Sequence, residues 1–304
     1  MLLLKTSFSS LVPDPIPYRI AVTGSNGQLG REFARIAGNH PSWQFTFLSR
    51  TVFPLDDPEK MNSWVNQHPV DIFINCAAYT AVDKAESETE KAFQINATAP
   101  GLLAGMLSEK STPLIHISTD YVFDGKSHTP LPETAVTKPL NQYGKSKLEG
   151  ERLLLKNNPA SQVIRTSWLY SSYGNNFVKT MLRLMKEKET IRVVQDQLGS
   201  PTYGGDLASA ILQMIGSGHF NPGIYHYSNE GETTWYEFAM EIKNLTGSNC
   251  RVIPIPASDY PTPASRPAYS LLDKTKIKKD YGLAIPDWKT SLSVCIELIR
   301  KQGV

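Results

Sequence analysis

Two short stretches of this chain carry a hydroxyl, a phenol and an ammonium, the three groups needed to move a proton at a carbonyl. The first is Ile117-Ser118-Thr119-Asp120-Tyr121-Val122-Phe123, and the second is Tyr143-Gly144-Lys145-Ser146-Lys147. On a helix, Tyr143 and Lys147 are one turn apart and share a face. There the ammonium lowers the pKa of the phenol by favouring its anion. That chemistry is carbonyl reduction, with the phenol as proton donor. The spacing alone also fits a solvated helix surface, so the surrounding elements have to decide.

Tyr18 to Thr23 reads as a short apolar strand running into Gly24-Ser25-Asn26-Gly27-Gln28-Leu29-Gly30, and Leu29 to Ile36 has helical periodicity. Further strands are expected at 45–48, 71–75, 113–118 and 162–166, with helical stretches between most of them. This alternation predicts an α/β fold, a doubly wound parallel sheet of the Rossmann type covered on both faces. Beyond Trp168 the pattern is less regular. Helices are expected at 177–188 and 205–215 and short strands at 223–228 and 251–255, which fits a smaller C-terminal α/β substrate-binding lobe. The five prolines from Pro254 to Pro267 predict a long loop without regular structure.

Gly24-x-x-Gly27-x-x-Gly30 sits at the strand-to-helix junction, where a dinucleotide pyrophosphate rests on helix-terminal N–H groups and glycine lets the backbone approach closely. The end of the second strand offers Ser49 and Arg50 where an acidic residue would accept the ribose hydroxyls of NAD. Arginine pairs well with a 2′-phosphate. NADPH is therefore favoured, with NADH open, and Asp56 and Asp57 are placed to reach the adenosine half. Asn75-Cys76-Ala77-Ala78-Tyr79-Thr80 ends the third strand on the carboxyl edge, where small residues leave room for a cofactor and Thr80 offers a hydroxyl to ribose or substrate. Asn96, a poor helix former in a helix-like segment, suggests a kink or a proton relay. His116 within the fourth strand reads as a packing residue, and Trp235 and Tyr236 as core rather than base stackers. Asp83, Lys84 and Glu86 fit either a solvated charge cluster or a site loop.

Among the 304 residues, 31 Lys and Arg balance 29 Asp and Glu, and no basic block stands out, so no nucleic-acid partner is expected. No apolar run approaches the roughly 20 residues that span a bilayer, and no membrane association is expected. Cys76, Cys250 and Cys295 are odd in number and widely spaced, which fits reduced, buried thiols and a cytoplasmic setting. Residues 1–17, with Pro13, Pro15 and Pro17, read as a tail outside the fold.

The motifs Thr-Gly-x-x-Gly-Gln-Leu-Gly, Asn-x-Ala-Ala-Tyr-Thr-Ala-Val-Asp-Lys-Ala-Glu, Ser-Thr-Asp-Tyr-Val-Phe-Asp-Gly and Tyr-Gly-Lys-Ser-Lys together resemble the dTDP-4-dehydrorhamnose reductase family of extended short-chain dehydrogenases. The likeness continues collinearly through Arg165-Thr166-Ser167-Trp168-Leu169-Tyr170, Gly174-Asn175-Asn176-Phe177, Asp196-Gln197-x-Gly199-x-Pro201-Thr202, Thr234-Trp235-Tyr236-Glu237-Phe238-Ala239 and Tyr260-Pro261-Thr262-Pro263-Ala264-x-Arg266-Pro267. It implies reduction of the C4 ketone of dTDP-4-dehydro-β-L-rhamnose to dTDP-L-rhamnose by NAD(P)H, the last step in making that sugar nucleotide for cell-surface polysaccharide.

By the same resemblance Thr119, Tyr143 and Lys147 are the catalytic residues, and the motif puts the catalytic hydroxyl on Thr119 rather than Ser118. The resemblance places Gly27, Gln28, Leu29, Ala78, Tyr79 and Thr80 at the cofactor with Tyr143 and Lys147, and the residue-level reading adds Gly24, Gly30, Arg50, Asp56 and Ala77, although Ser49-Arg50 departs from the acidic residue common in that family. Thr119, Asp120, Tyr121, Trp168 and Arg266 are expected at the substrate, with Arg266 paired to its diphosphate. The implied domains are 18–168, joined by later returning segments, for the dinucleotide and mainly 169–304 for the sugar nucleotide. Some relatives bind Mg2+ between subunits; no ligand cluster here calls for it, and no essential metal is expected. A monomer or a homodimer fits. A reductase forming another dTDP-6-deoxyhexose, such as the talose epimer, and a non-catalytic NADP-binding regulatory subunit like the methionine adenosyltransferase β-subunit remain as alternatives.

Overall fold

The computed structural model describes residues 17–303, so the expected tail lies outside the described residues apart from Pro17. Its centre is a six-stranded, wholly parallel sheet. The strands β1 (Arg19–Thr23), β2 (Gln44–Leu48), β3 (Ile72–Asn75), β4 (Leu114–Thr119) and β5 (Gln162–Thr166) are joined by Gly223–Tyr227, which returns from late in the chain to flank β5. The spatial order is Gly223–Tyr227, β5, β4, β3, β1, β2. The chain reverses direction across the sheet between β1 and β3, and such a switch point opens a crevice at the carboxyl ends of the strands.

The alternation along β1 shows why the sheet is covered on both sides. Ile20 and Val22 pack with α1 (Gln28–Ile36) and the helix Gly204–Gly216 through Leu29, Phe33, Leu207 and Ile211. Ala21 faces the opposite way, toward Met61 and Trp64 of α2 (Pro58–Gln67). The same opposite layer holds Leu103 and Leu107 of α5 (Ala99–Ser108) and Leu154 of α6 (Gln142–Asn157). Strands apolar on both faces are the signature of a buried parallel sheet. A separate core joins the helices Phe177–Glu187, Trp235–Thr246 and Trp288–Lys301 to the paired strands Thr190–Val194 and Arg251–Ile255.

The proline-rich stretch is more ordered than its composition predicts. Pro254 lies inside a strand opposite Val193, and Ala257–Asp259 forms a 3₁₀ turn. The pair has only two strands, so a missing N–H on an outer edge is tolerated. The kink expected near Asn96 is present: between α3 (Val82–Ala85) with α4 (Thr89–Phe93) and α5, residues Gln94–Thr98 form a π-helical turn. Asn96 turns its amide onto the Tyr79 backbone, accepting from its N–H at 2.9 Å and donating to its carbonyl at 3.0 Å. It also donates to Ser146 of α6 at 3.0 Å.

Candidate active site

A cavity of about 720 Å³ opens at the switch point and is walled by the turn after β1, the loop after β3, the end of β4 and the start of α6. At the first wall, Gly24 adopts φ +68°, and a Cβ there would lie 2.9 Å from the Ala77 nitrogen. A Cβ on Gly30 would strike the Gly24 carbonyl and stand 2.7 Å from Ser25 Cα. Helix α1 begins at Gly27 without a side-chain cap. Its first N–H groups therefore point into the cavity as orphan donors, which is what an anionic pyrophosphate requires. Gly24, Gly27, Gln28, Leu29 and Gly30 all line this wall, and Ala77, Ala78, Tyr79 and Thr80 line the one opposite. These residues fit a dinucleotide.

Arg50 also borders the cavity, whereas Asp56 does not line it. Asp56 instead binds the Arg50 guanidinium at 2.7 Å, and that hydrogen bond holds its carboxyl below the usual range. The Arg50 side chain is 74% exposed, so its far side remains open to a second anion.

Thr119, Asp120, Tyr121, Tyr143, Lys147 and Trp168 meet on the remaining walls. Asn141 caps α6 by accepting the Gly144 N–H at 2.8 Å, and Glu86 accepts the Gln142 N–H at the same distance, which fixes where Tyr143 emerges. The Thr119 hydroxyl donates to Asp120 Oδ1 at 3.0 Å and accepts the Tyr121 N–H at 3.3 Å. Tyr121 packs edge-on to Tyr143 with ring centres 5.6 Å apart. Burial pushes the Asp120 carboxyl up to about 6, opposed by hydrogen bonds from Ser270 and Thr119. Beneath the site, Glu151 of α6 joins Ser118 of β4 and Arg165 of β5, the latter at 2.7 Å, in a fully buried ion pair.

The expected lowering of the Tyr143 pKa by Lys147 is not found. Burial pushes the phenol up to about 12, opposed by the hydrogen bond to Thr119. The Lys147 amine is directed elsewhere, 2.7 Å from the Ile117 carbonyl and 3.0 Å from His116 Nε2. Burial lowers it to about 8. His116 is thus not merely a packing residue: its other nitrogen lies 3.0 Å from Asn75 Nδ2. Arg266 is likewise not at the cavity wall. It forms a two-point pair with Asp83 at 2.9 and 3.1 Å, so Asp83 belongs to a fixed contact rather than a solvated cluster.

Trp168 has a left-handed φ of +47° and lies flat on Trp235, ring centres 3.6 Å apart. A non-glycine residue in that region costs on the order of 1 kcal/mol and persists where surrounding structure enforces it. Trp235 also packs against Phe177 and Phe238, as its core reading requires. Lining residues that single-position reasoning missed include Phe53, Leu55, Lys91 and Asn175. Asn175 follows Gly174, whose φ of +65° marks a turn against Gln28 and was the available signal. Among the described residues, no group of three or more His, Cys, Asp or Glu is placed to hold a metal ion. No helix of the described residues is long and apolar enough to cross a membrane.

A sequence model described as the RmlD substrate binding domain matches residues 18–301. The chain belongs to this family. A dTDP-4-dehydrorhamnose reductase of Aggregatibacter actinomycetemcomitans is 40% identical over 284 residues, covering 90% of this chain and 97% of the relative. Two solved dTDP-4-dehydrorhamnose reductases share the RmlD-family fold of this chain. That of Clostridium acetobutylicum superposes with a TM-score of 0.88 at 38% identity, covering 93% of this chain and 99% of its own. That of Bacillus anthracis, solved in complex with NADP, gives 0.89 at 35% identity with the same coverage.

Proposed function

We propose that this protein reduces the C4 ketone of dTDP-4-dehydro-β-L-rhamnose to dTDP-L-rhamnose, using NADPH in preference to NADH. The observation that carries the reading is one cavity in which an uncapped glycine turn faces Thr119, Tyr143 and Lys147, in a chain of the RmlD family. When bound, the reduced dinucleotide would supply the hydride for C4. Tyr143 delivers the proton to the carbonyl oxygen, and its raised pKa suits an acid that stays protonated until charge develops beside it. Thr119 hydrogen-bonds the developing alkoxide. Lys147 would hold the cofactor ribose, and its amine reaches the phenolate that Tyr143 leaves behind only by giving up the Ile117 carbonyl.

Asp120 and Tyr121 orient the sugar, and Trp168 covers it from the far wall. The exposed face of Arg50 reads the 2′-phosphate, with Asp56 acting through Arg50 rather than on the cofactor itself. Arg266 reaches the substrate diphosphate only by exchanging Asp83 for it. A cytoplasmic setting fits three free cysteines and a reduced-dinucleotide reaction. Replacing Tyr143 with Phe tests the reading: turnover should fall by about 10²- to 10⁴-fold, the range for loss of a general acid, while NADPH affinity stays within a few-fold. An unchanged rate would remove Tyr143 from the acid role.

A further inference from the structure

The fully buried imidazole of His116 is engaged at both nitrogens, Nδ1 by Asn75 Nδ2 and Nε2 by Lys147 Nζ, each at 3.0 Å. A neutral ring carries one proton, so it donates at one nitrogen and accepts at the other. The direction is decided at Asn75. Its Oδ1 lies 3.2 Å from the Ala77 N–H and 2.7 Å from the Thr23 hydroxyl. A backbone N–H can only donate, so the carbonyl end of Asn75 faces Ala77 and the amide end faces His116. An amide NH₂ also only donates. Nδ1 therefore accepts, the ring proton sits on Nε2, and it points at Lys147.

The Ile117 carbonyl, 2.7 Å from Nζ, can only accept. A neutral amine satisfies both neighbours by donating to Ile117 and accepting from His116. An ammonium has no lone pair and meets the Nε2 proton donor against donor. Charging Lys147 thus requires the chain to turn over: the ammonium donates to Nε2, the ring proton moves to Nδ1, and Asn75 presents its carbonyl to His116 and its amide to Thr23.

We propose that His116 is a positioning residue for Lys147, and that the direction of the Thr23-Asn75-His116 hydrogen-bond chain is coupled to the protonation of the Lys147 amine. The inference rests on the reading of Lys147 as the group that serves Tyr143. It gives that amine two hydrogen-bonded states; in the charged one the Ala77 N–H turns from Asn75 to the Thr23 hydroxyl, 3.4 Å away. The other charged or titratable groups around the amine are Cys76 after β3, Glu151 one turn along α6 and Tyr143 one turn back. Glu151 is already neutralised by Arg165. Burial keeps His116 neutral by pushing its pKa well down.

The test is a ¹⁵N NMR titration of the cofactor-free protein, with His116 assigned through the bonds to its own Hβ and Lys147 followed at its Cε. His116 should carry its proton on Nε2 at pH 9.5 and on Nδ1 at pH 6, changing with the same midpoint as Lys147. An unchanging tautomer across the Lys147 titration overturns the coupling. Asn75→Asp, whose carboxylate can only accept, should fix the proton on Nδ1 and raise the Lys147 midpoint by a unit or more; an unchanged midpoint also overturns it. Should that variant not fold, the wild-type titration decides alone. Because no turnover is measured, failure here is distinct from failure of the reductase reading. Loss of activity with a switching tautomer would count against the latter only.

Discussion

At the scale of single residues, the site departs from its sequence reading where burial outweighs charge. Tyr143 and Lys147 were legible as a pair from their spacing, but which way the amine turns depends on His116 and Ile117, which are remote from that spacing. Asp120 offers a measurement of the same effect on stability. Its folded carboxyl holds its proton to about pH 6 against an ordinary value of 3.8, so ionisation costs the folded state. That cost is absent below about pH 4 and complete above about pH 6, where two units amount to about 3 kcal/mol. Asp120→Asn keeps the acceptor for Thr119 and should be the more stable protein at pH 7.5 by up to that amount, with the difference closing toward pH 4. Urea unfolding at the two pH values checks this, and an equal difference at both would show that the carboxyl is not strained. Arg50→Ala should weaken NADPH by about tenfold or more, the scale of one charge-assisted hydrogen bond, and NADH much less. Equal losses in a fluorescence titration would show that Arg50 does not read the 2′-phosphate.

At the scale of elements, the turn after β1 is held by backbone contacts that no side chain can replace. Gly30→Ala places a methyl against the Gly24 carbonyl and Ser25 Cα, so α1 must move away from the strand. A destabilisation of about 1–3 kcal/mol is expected, with dinucleotide binding lost. Gly105→Ala, inside α5 with nothing within 4 Å of its added Cβ, is the contrast and should stabilise by about 0.5–1 kcal/mol. Thermal unfolding and NADPH titration of both variants check the pair; retained binding in Gly30→Ala would show that the turn can relax. Strands β1 to β5 were readable because apolar runs bounded by turns are local signals. The π-turn was readable only as an ill-suited Asn96, since its cause is the Tyr79 loop and Ser146, distant in sequence. The strand at 251–255 was readable despite Pro254, whose cost vanishes on an unpaired edge.

At the scale of the whole molecule, the order of the sheet decides what the motifs can do. The glycine turn after β1 and the small residues after β3 flank the switch point, and β4 brings Thr119 to the same edge, so three distant motifs share one cavity. That convergence follows from parallel topology and could be anticipated from the strand and helix alternation. The resemblance implied that later segments return to this domain, but that Gly223–Tyr227 is the strand that flanks β5 could not be read, because a five-residue strand late in the chain carries no signal of which sheet it joins. The same limit applied to Arg266, whose place beside Asp83 is a long-range contact between a late loop and α3. Purified protein incubated with dTDP-4-dehydro-β-L-rhamnose and either NADPH or NADH decides whether this cavity reduces a sugar-nucleotide ketone. The expected result is one dinucleotide oxidised per sugar, faster with NADPH, and dTDP-L-rhamnose as the product identified by NMR. No dinucleotide oxidation, or the talose epimer as sole product, would contradict it.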